Sequence, residues 1–229
     1  MAWRCHGKDN NNLVDNLKNA GIITNSRVEK TMKAVDRKNY AISHAYDDAP
    51  QSIGYGATIS APHMHAYALE YLEPFLKPGN RVLDIGSGSG YVAACMAHMV
   101  GEKGKVVGIE HVKALNEMAY DNISNDHPEF LESNRITLQT GDGRLGEPSE
   151  GPYDCIHVGA AAENYPFELI DQLNSPGLMF IPIGSDYSQS IYLIEKDASG
   201  NVSNTKLMGV RYVPLTDIQK QWSFQSDDD

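Results

Sequence analysis

Short apolar runs alternate with stretches of helical periodicity through the middle of this chain. Each run has the length and the content of branched residues that are typical of a buried strand. The runs occupy residues 82–85, 105–109, 135–140, 153–158 and 178–181. A helical pattern from Tyr91 to Val100 lies between the first two. This alternation predicts an α/β fold built from βαβ units, with a largely parallel sheet and helices on both of its faces.

Both ends of the chain depart from this alternation. Helical patterns over Asn11–Ala20 and Ser26–Val35 precede the first run, and no linker rich in Pro, Gly or Ser separates them from it. Near the other end, strand-like runs at Gln189–Glu195 and Thr205–Val213 flank the turn-forming residues 197–201, which predicts an antiparallel pair. We therefore expect one domain over residues 1–229, in which the helices of residues 10–76 pack on the core.

Three glycines at alternate positions follow the first strand, in the sequence Asp84-Ile85-Gly86-Ser87-Gly88-Ser89-Gly90. A backbone without side chains can approach a ligand closely, and the helix that follows directs its N-terminus to the same point. The segment is therefore interpreted as a nucleotide-binding turn. A dinucleotide fingerprint spaces its glycines as G-x-G-x-x-G. The G-x-G-x-G spacing found here is typical of methyltransferases that use S-adenosylmethionine.

Carboxylates lie at the ends of three successive strands, and a positive sulfonium favours such neighbours. Glu110 is expected to accept hydrogen bonds from two ribose hydroxyls, or else to cap the helix that begins near Val112. Asp142, followed by Gly143, is suited to an adenine amino group, or forms a plain Asp-Gly turn. Asp84 holds the glycine loop or a methionyl ammonium through water, or is a buried acid that accepts loop amide hydrogens. The roles of Asp84 can coexist.

The composition fits a single enzyme-sized domain. The 229 residues are 41% hydrophobic and 21% charged, which is enough to bury one core. A formal charge of −11 argues against a general nucleic-acid surface. The apolar stretches are too short to span a membrane, and no signal-peptide core is visible at the N-terminus, so secretion is not expected. The odd number of cysteines, Cys5, Cys95 and Cys155, fits reduced thiols in the cytosol, with Cys95 and Cys155 in the core.

Several blocks of the sequence match one known family. The most specific is Ala57-Thr58-Ile59-Ser60-Ala61-Pro62-His63-Met64-His65, and the same pattern continues in residues 84–90, 141–143, 156–162 and 212–216. From about Asn12 to Trp222 the chain resembles the protein L-isoaspartate (D-aspartate) O-methyltransferase family. One departure follows the helix predicted over Phe167–Leu173, at the turn Asn174-Ser175-Pro176-Gly177, where the family usually has Lys-Pro-Gly-Gly. The turn is kept and the lysine is lost, which predicts an altered surface and unaltered chemistry.

The resemblance implies a Rossmann-like methyltransferase fold and a protein-repair reaction. S-adenosyl-L-methionine would give its methyl group to the free carboxylate of an L-isoaspartyl or D-aspartyl residue in a damaged protein, leaving S-adenosyl-L-homocysteine. Conversion through a succinimide to normal aspartate would follow. The implied partners are peptides and proteins that contain such residues, without nucleic acid or membrane. The implied state is a monomer in the cytosol.

The resemblance also assigns roles to individual residues. Ser60 would be the catalytic residue, holding the acceptor oxygen, although its position without the resemblance favours an N-cap of the helix predicted at 62–72. The predicted cofactor-binding residues are Ala57, Thr58, Ile59, Ser60, His65, Asp84, Ile85, Gly86, Ser87, Gly88, Ser89, Gly90, Glu110, His111, Asp142, Gly143, Thr216 and Gln221. The predicted substrate-binding residues are Ile59, Ser60, His65, Val213 and Pro214. The segment 213–224 is expected to fold over the active site.

Two histidines in the most specific block raise the question of a metal site. His63 and His65 point to nearly opposite faces of a helix, and neither a cysteine nor an acid completes a ligand set, so no metal is expected. His65 is expected to hydrogen-bond the peptide near the acceptor, His63 to be exposed, and His157 to be a strand residue.

Two other functions stay open at this point. One is an enzyme of another class, such as a nicotinamide-dependent dehydrogenase or a small-molecule methyltransferase. The other is a non-catalytic module that binds S-adenosylmethionine.

Overall fold

The computed structural model describes residues 5–185, 188–217, 219 and 221. Within these residues the strands are β1 (Gln51–Gly54), β2 (Ala57–Ile59), β3 (Arg81–Ile85), β4 (Lys105–Glu110), β5 (Ile136–Thr140), β6 (Tyr153–Val158), β7 (Leu173–Ser185), β8 (Ser188–Lys196) and β9 (Val202–Val210). The α-helices are α1 (Asn10–Asn19), α2 (Ser26–Ala34), α3 (Pro62–Leu72), α4 (Tyr91–Val100), α5 (Lys113–Asp126), α6 (Pro128–Glu132) and α7 (Phe167–Asp171). Residues 218, 220 and 222–224 of the predicted C-terminal segment 213–224 lie outside the described residues.

Seven strands form one sheet in the order β5-β4-β3-β6-β7-β8-β9. The first five strands in this order are parallel, whereas β8 pairs antiparallel with β7 and β9 pairs antiparallel with β8. The predicted α/β fold with an antiparallel C-terminal pair is therefore confirmed. The chain proceeds outward from β3 to β5 and then returns to the other side of β3 as β6. Ligands of open parallel sheets bind beyond the carboxyl ends of the strands at such a reversal.

Apolar side chains of β3 point to both faces of the sheet, so both faces must be covered by other parts of the chain. Val82 packs in the larger apolar cluster, which contains residues of α1 to α5, whereas Leu83 and Ile85 pack in the cluster on the opposite face. Successive strand residues point to opposite faces, so Asp84 shares the face of Val82. Helix α4 is buried along nearly its whole length, and its bounds, Tyr91 and Val100, are those predicted. None of the helices in the described ranges has the length and apolarity needed to cross a membrane.

Two parts of the fold differ from the prediction. Before β3, the strands β1 and β2 form a hairpin whose turn residues, Tyr55 and Gly56, both have positive φ, as a two-residue turn of this kind requires. These strands have four and three residues, too short for a periodic signal. The helix predicted to end at Leu173 ends at Asp171, and the predicted turn at 174–177 is a bulge inside β7.

The third glycine of the glycine turn serves packing between helices. Gly90 has a φ of 86°, and a Cβ built there would lie 3.0 Å from Ile123 Cδ1 and 3.2 Å from Ala119 Cβ. Both neighbours belong to α5, so this glycine allows α5 to pack against the start of α4.

We predict that Gly90→Ala lowers the free energy of unfolding by about 2–4 kcal/mol, because backbone strain and overpacking add at this site. Gly200→Ala is the matched control, since Gly200 has a φ of 84° and open space around it. Strain alone should cost the control about 1–2 kcal/mol. Urea denaturation measures both variants, and equal losses would show that contact with α5 contributes nothing.

Candidate active site

Two adjoining cavities lie where the carboxyl ends of β3, β4 and β6 meet. Cavity 1 encloses about 540 Å³, its open mouth included, and cavity 2 about 350 Å³. They share Thr58, Gly86, Gly88 and Gly159 in their walls, so one extended ligand can occupy both. The glycine turn forms the boundary between them.

Most of the predicted site residues lie around these two cavities. Those in the wall of cavity 1 are Ala57, Thr58, Gly86, Gly88, Glu110, His111, Gly143, Val213, Pro214, Thr216 and Gln221. Those in the wall of cavity 2 are Thr58, Ile59, Ser60, His65, Asp84, Gly86, Ser87, Gly88 and Ser89. Residues separated by more than 160 positions in the sequence therefore surround one continuous space.

Three predicted residues lie outside both walls. Ile85 is fully buried in the apolar cluster that contains Leu83, and Gly90 contacts α5. The carboxylate of Asp142 pairs with the guanidinium of Arg144 at 2.6 Å and also accepts the backbone N–H of Arg144. Asp142 thus forms the turn that was its alternative role, and hydrogen bonds from Arg144 lower the pKa of its carboxyl.

Glu110 at the end of β4 connects the glycine turn to the start of the next helix. One carboxylate oxygen accepts the N–H of Gly88 at 3.1 Å, and the other accepts the N–H of Val112 at 3.0 Å. Val112 is the N-cap residue of α5. The alternative role of Glu110 at the start of this helix therefore corresponds to the bond with Val112, and the bond with Gly88 is additional. Each oxygen of an ionised carboxylate can accept a second hydrogen bond, so Glu110 retains acceptor capacity for a ligand in cavity 1.

Asp84 and His157 are opposite one another on the neighbouring strands β3 and β6. His157 Nδ1 donates to Asp84 Oδ1 at 2.7 Å, and both side chains are almost completely buried. Asp84 Oδ2 and Ser87 Oγ are buried at the wall of cavity 2 and have no hydrogen-bond partner among the described residues. An unsatisfied buried acceptor is costly, so these two atoms fit a ligand that donates hydrogen bonds or carries positive charge. Within the described residues, no loop amide donates to Asp84.

Ser60 precedes α3 and does not cap it. The N-cap residue is Ala61, which has no side-chain acceptor, and the His63 N–H in the first turn donates to Asp48, so the capping alternative for Ser60 is wrong. The Ser60 side chain instead lies beside the phenol of Tyr212. Burial raises the pKa of Tyr212 to about 12, and the Ser60 hydroxyl opposes that rise. Gln189 fixes Tyr212 by accepting its N–H and donating to its carbonyl, at 2.6 and 3.2 Å.

His65 is buried and neutral, with its protonation site set by a neighbour. Arg37 Nη1 lies 3.1 Å from His65 Nδ1, and a guanidinium can only donate, so Nδ1 accepts and the ring proton is on Nε2. Burial, followed by the charge of Arg37, holds the pKa of His65 well below its usual range. The ring packs against Tyr91, with the centroids 5.0 Å apart.

The expectation that His63 is exposed is wrong. Its Nδ1 donates to Asp48 Oδ1 at 2.7 Å, and its backbone N–H donates to the same oxygen at 3.1 Å. The carboxylate of Asp48 is completely buried, and hydrogen bonding explains why a polar pair is tolerated there. Within the described part of the chain, no group of three or more His, Cys, Asp or Glu side chains could hold a metal ion.

The C-terminal segment reaches cavity 1 because its backbone pairs with the end of β6. The N–H of Ala161 donates to the carbonyl of Val213, and the N–H of Leu215 donates to the carbonyl of Ala161, both at 2.8 Å. Further along, the Gln221 side chain donates to the carbonyl of Tyr55 at 2.7 Å and hydrogen-bonds His111 Nε2. Gln221 thus links the β1–β2 turn to the end of β4.

Sequence reasoning missed four side chains of this site: Arg37, His157, Gln189 and Tyr212. His157 could have been found, because it ends a strand that lies beside β3 once the chain reverses direction. The other three act across the fold, and no spacing in the sequence marks them. Arg37, for example, contacts residues 23 and 28 positions away.

Comparisons with known proteins agree with the geometry. The sequence profile of the family described as protein-L-isoaspartate(D-aspartate) O-methyltransferase (PCMT) matches residues 8–220. The chain is 45% identical over 223 residues to a protein-L-isoaspartate O-methyltransferase of Caenorhabditis elegans, covering 97% of this chain and 99% of the relative. Protein-L-isoaspartate O-methyltransferase 1 of Arabidopsis thaliana is 47% identical over 215 residues, covering 93% of each.

A solved structure extends the likeness to three dimensions. A Plasmodium falciparum protein assigned to the same family, in complex with S-adenosyl-L-homocysteine, superposes with a TM-score of 0.86 at 38% identity. The match covers 91% of this chain and 99% of that one.

The state of His65 leads to a prediction about acid stability. Unfolded His65 takes up a proton below its reference pKa of about 6.5, whereas folded His65 stays neutral to lower pH. The unfolded state therefore binds more protons below about pH 6.5, and His65 makes stability fall by up to ~1.4 kcal/mol per pH unit on acidification. Urea denaturation should show a shallower pH dependence for His65→Asn than for the wild type.

His44→Asn is the control for that experiment, because the His44 side chain is 71% exposed. We expect this variant to keep the wild-type slope. If His65→Asn and His44→Asn change the slope equally, His65 is not held neutral by its surroundings.

Proposed function

The chain belongs to the protein-L-isoaspartate(D-aspartate) O-methyltransferase family, and on that premise we propose that it methylates damaged aspartyl residues in proteins. The acceptor is the free carboxylate of an L-isoaspartyl or D-aspartyl residue, and the donor is S-adenosyl-L-methionine. The methyl ester carries a better leaving group than the free carboxylate, so the neighbouring backbone nitrogen attacks the ester carbonyl, methanol leaves and a succinimide closes. Its hydrolysis returns part of the residue to normal aspartate.

One observation carries this proposal: the glycine turn and the block that contains Ser60 enclose the same continuous space. The glycine turn alone indicates a nucleoside cofactor without indicating an acceptor. Ser60 and His65 border cavity 2 together with Asp84 and Ser87, so donor and acceptor groups can meet there.

We propose that cavity 1 holds the adenosine part of the cofactor and cavity 2 its methionyl part. Glu110 would accept from the ribose hydroxyls, and Gly143 would allow the base to approach the backbone. The unpartnered Asp84 Oδ2 and Ser87 Oγ would receive the methionyl ammonium, directly or through water. The bound cofactor supplies an electrophilic methyl group on a positively charged sulfur.

The protein's part in the chemistry is positioning. A carboxylate with a reference pKa near ~4 is ionised at neutral pH, so in-line attack requires no strong general base. The Ser60 hydroxyl and the Nε2–H of His65 are neutral donors at the wall of cavity 2. Neutral donors can orient an acceptor oxygen while leaving most of its nucleophilicity intact.

We predict that methyl incorporation from labelled S-adenosylmethionine distinguishes two peptides that differ only in an aspartyl or isoaspartyl linkage. The isoaspartyl peptide should be labelled and the aspartyl peptide should not. The released product is a base-labile methyl ester, so volatile label after alkali treatment reports the reaction. Label on both peptides, or on neither, contradicts the proposed specificity.

Variants of the same assay separate the competing functions. Ser60→Ala should lower the rate by at least about 100-fold with a much smaller effect on S-adenosylhomocysteine binding, because the hydroxyl is assigned to the acceptor oxygen. Ser203→Ala on the exposed strand β9 is the control.

A wild-type protein that binds the cofactor and labels no isoaspartyl peptide would be a binding module. Binding of NAD without S-adenosylhomocysteine would indicate a dehydrogenase.

We further propose that the enzyme acts as a monomer in the cytosol, without a nucleic-acid or membrane partner. The net charge of −11 and the three buried free cysteines support this environment. The large exposed apolar side chains belong to six separate segments of the described chain, and no two are close in sequence. Light scattering on a size-exclusion column should give about 25.2 kDa with and without S-adenosylhomocysteine. A mass near twice that value at micromolar concentration contradicts the monomer.

A further inference from the structure

Arg37 is a buried cation behind the wall of cavity 2. It lies in the short 3-10 helix Arg37–Asn39 that follows α2, and its side chain has no exposed surface. Nη2 donates to the carbonyl of Ser60 at 2.8 Å, and Nη1 donates to His65 Nδ1 at 3.1 Å. Both acceptors belong to residues that border the cavity.

The charge of Arg37 has no ion-pair partner within the described residues, and the buried carboxylate of Asp48 attracts it only from a distance. Its Nε is buried without a partner, and no described carboxylate forms an ion pair with the guanidinium. The ring of Tyr91, whose centroid lies 5.6 Å from Cζ, supplies a weak cation–π contact. Burial lowers the pKa of the guanidinium to about 10, so it remains protonated at neutral pH.

The nearby carboxylates direct their oxygens to other groups. Asp48 accepts from His63 and from the backbone of Cys5, and Asp84 accepts from His157, so neither contacts the guanidinium. A buried charge without a counterion in direct contact is incompletely compensated, so the site is suited to an anion that binds beside it. The space next to Ser60 and His65 is where such an anion has access.

We propose that Arg37 is a positioning residue that attracts the acceptor carboxylate electrostatically from behind Ser60 and His65. It would thereby favour an anionic acceptor over a neutral carboxamide and over the methyl ester product. This inference rests on the proposed function, because it assigns the missing counterion to the substrate of that reaction.

The indirect placement of Arg37 has a chemical reason. A guanidinium in direct contact with the attacking oxygen would hold its lone pairs and reduce its nucleophilicity. Coulomb attraction acts over a longer range than a hydrogen bond, so a cation one layer behind the wall still attracts the anion. Only the neutral donors of Ser60 and His65 then contact the acceptor.

The same arrangement predicts which kinetic constant depends on Arg37. The carboxylate loses negative charge as the methyl group moves onto it, so Arg37 stabilises the bound substrate more than the transition state. Removing the charge should therefore raise KM and leave kcat unchanged or slightly higher. A residue that only shapes Ser60 and His65 would instead lower kcat when it is replaced.

The test uses Arg37→Gln, Arg37→Lys and the control Arg27→Gln with an isoaspartyl peptide. We expect Arg37→Gln to raise KM by about tenfold or more with kcat within about twofold of the wild type. Arg37→Lys, which keeps the charge, should stay within about threefold in KM. Arg27 is a partly exposed arginine with several hydrogen bonds, whose donors reach Glu73, Leu76 and Met99 and not the lining residues of either cavity. Arg27→Gln should lower Tm without changing KM.

A binding measurement completes the test without turnover. Each protein, saturated with S-adenosylhomocysteine, is titrated with the isoaspartyl peptide and with its carboxamide twin. The wild type should prefer the carboxylate by about tenfold or more, Arg37→Lys should keep most of that preference, and Arg37→Gln should lose it.

The outcomes separate the two proposals. A wild-type protein that methylates no isoaspartyl peptide contradicts the proposed function itself. If Arg37→Gln keeps the wild-type preference for the carboxylate peptide, or lowers kcat with KM unchanged, the proposed role of Arg37 is wrong. The proposed function is unaffected by either result. If Arg37→Gln does not fold, Arg37→Lys decides the question, because loss of the preference in a variant that keeps the charge contradicts an electrostatic role.

Discussion

The hydrogen bond between Asp84 and His157 joins the two strands at which the order of the sheet reverses. A carboxylate in the middle of an apolar sheet is expensive to bury, and its placement there requires a partner that fixes it. His157 meets that requirement from the neighbouring strand and leaves one carboxylate oxygen for the cavity. The glycine turn begins directly after β3, so the same strand end provides both the buried acceptor and the bare backbone. The position of the cofactor site follows from this pairing.

Charge is arranged in layers around the two cavities. The carboxylates of Asp84 and Glu110 lie at the ends of β3 and β4, where a cationic donor would bind. The guanidinium of Arg37 lies behind the opposite wall, and the neutral side chains of Ser60 and His65 border the space between. The carboxylates attract the cationic donor from one side, and the guanidinium attracts the anionic acceptor from the other. Neither charged group lies between the two reactants, so neither blocks their approach. The sulfonium and carboxylate charges cancel as the methyl group transfers, so the attraction of Arg37 for the acceptor is lost, whereas the methionyl ammonium and the ribose hydroxyls remain for Asp84 and Glu110 to bind.

The sequence predicted those parts of the fold that repeat a local pattern. The bounds of α4 and β6 were predicted to the residue, because their periodicity or apolar content is uninterrupted. The hairpin β1–β2 was missed because its strands are too short to show alternation. Gly90 belongs to the glycine pattern, yet it serves the packing of α5. A pattern in one segment cannot reveal which other segment packs against it. The hairpin and the role of Gly90 both depend on such tertiary contacts, so the sequence did not predict them.

The same limit applies to the candidate site. The residues that surround the cavities were predicted largely from motifs, whereas the residues that orient them were not. Arg37, Gln189 and Tyr212 act through hydrogen bonds or side-chain contacts across at least 20 positions of sequence. His63 shows the converse error, because an isolated histidine on a helix gives no sign of the buried Asp48 that binds it. Sequence motifs thus identify the residues that line the cavities. The charged and hydrogen-bonding residues that contact this lining from the protein side are known only once the chain is folded.

The way in which the C-terminal segment is attached bears on substrate range. Val213 and Leu215 are held to Ala161 by backbone hydrogen bonds, so this part of the edge of cavity 1 is positioned by backbone pairing. Gln221 adds a hydrogen bond from its side chain to the backbone carbonyl of Tyr55. A site edge made of backbone can align a peptide through its own backbone, which every protein substrate shares. Discrimination then depends on the carboxylate at the acceptor position, and a repair enzyme needs this combination because damage occurs in many different sequences.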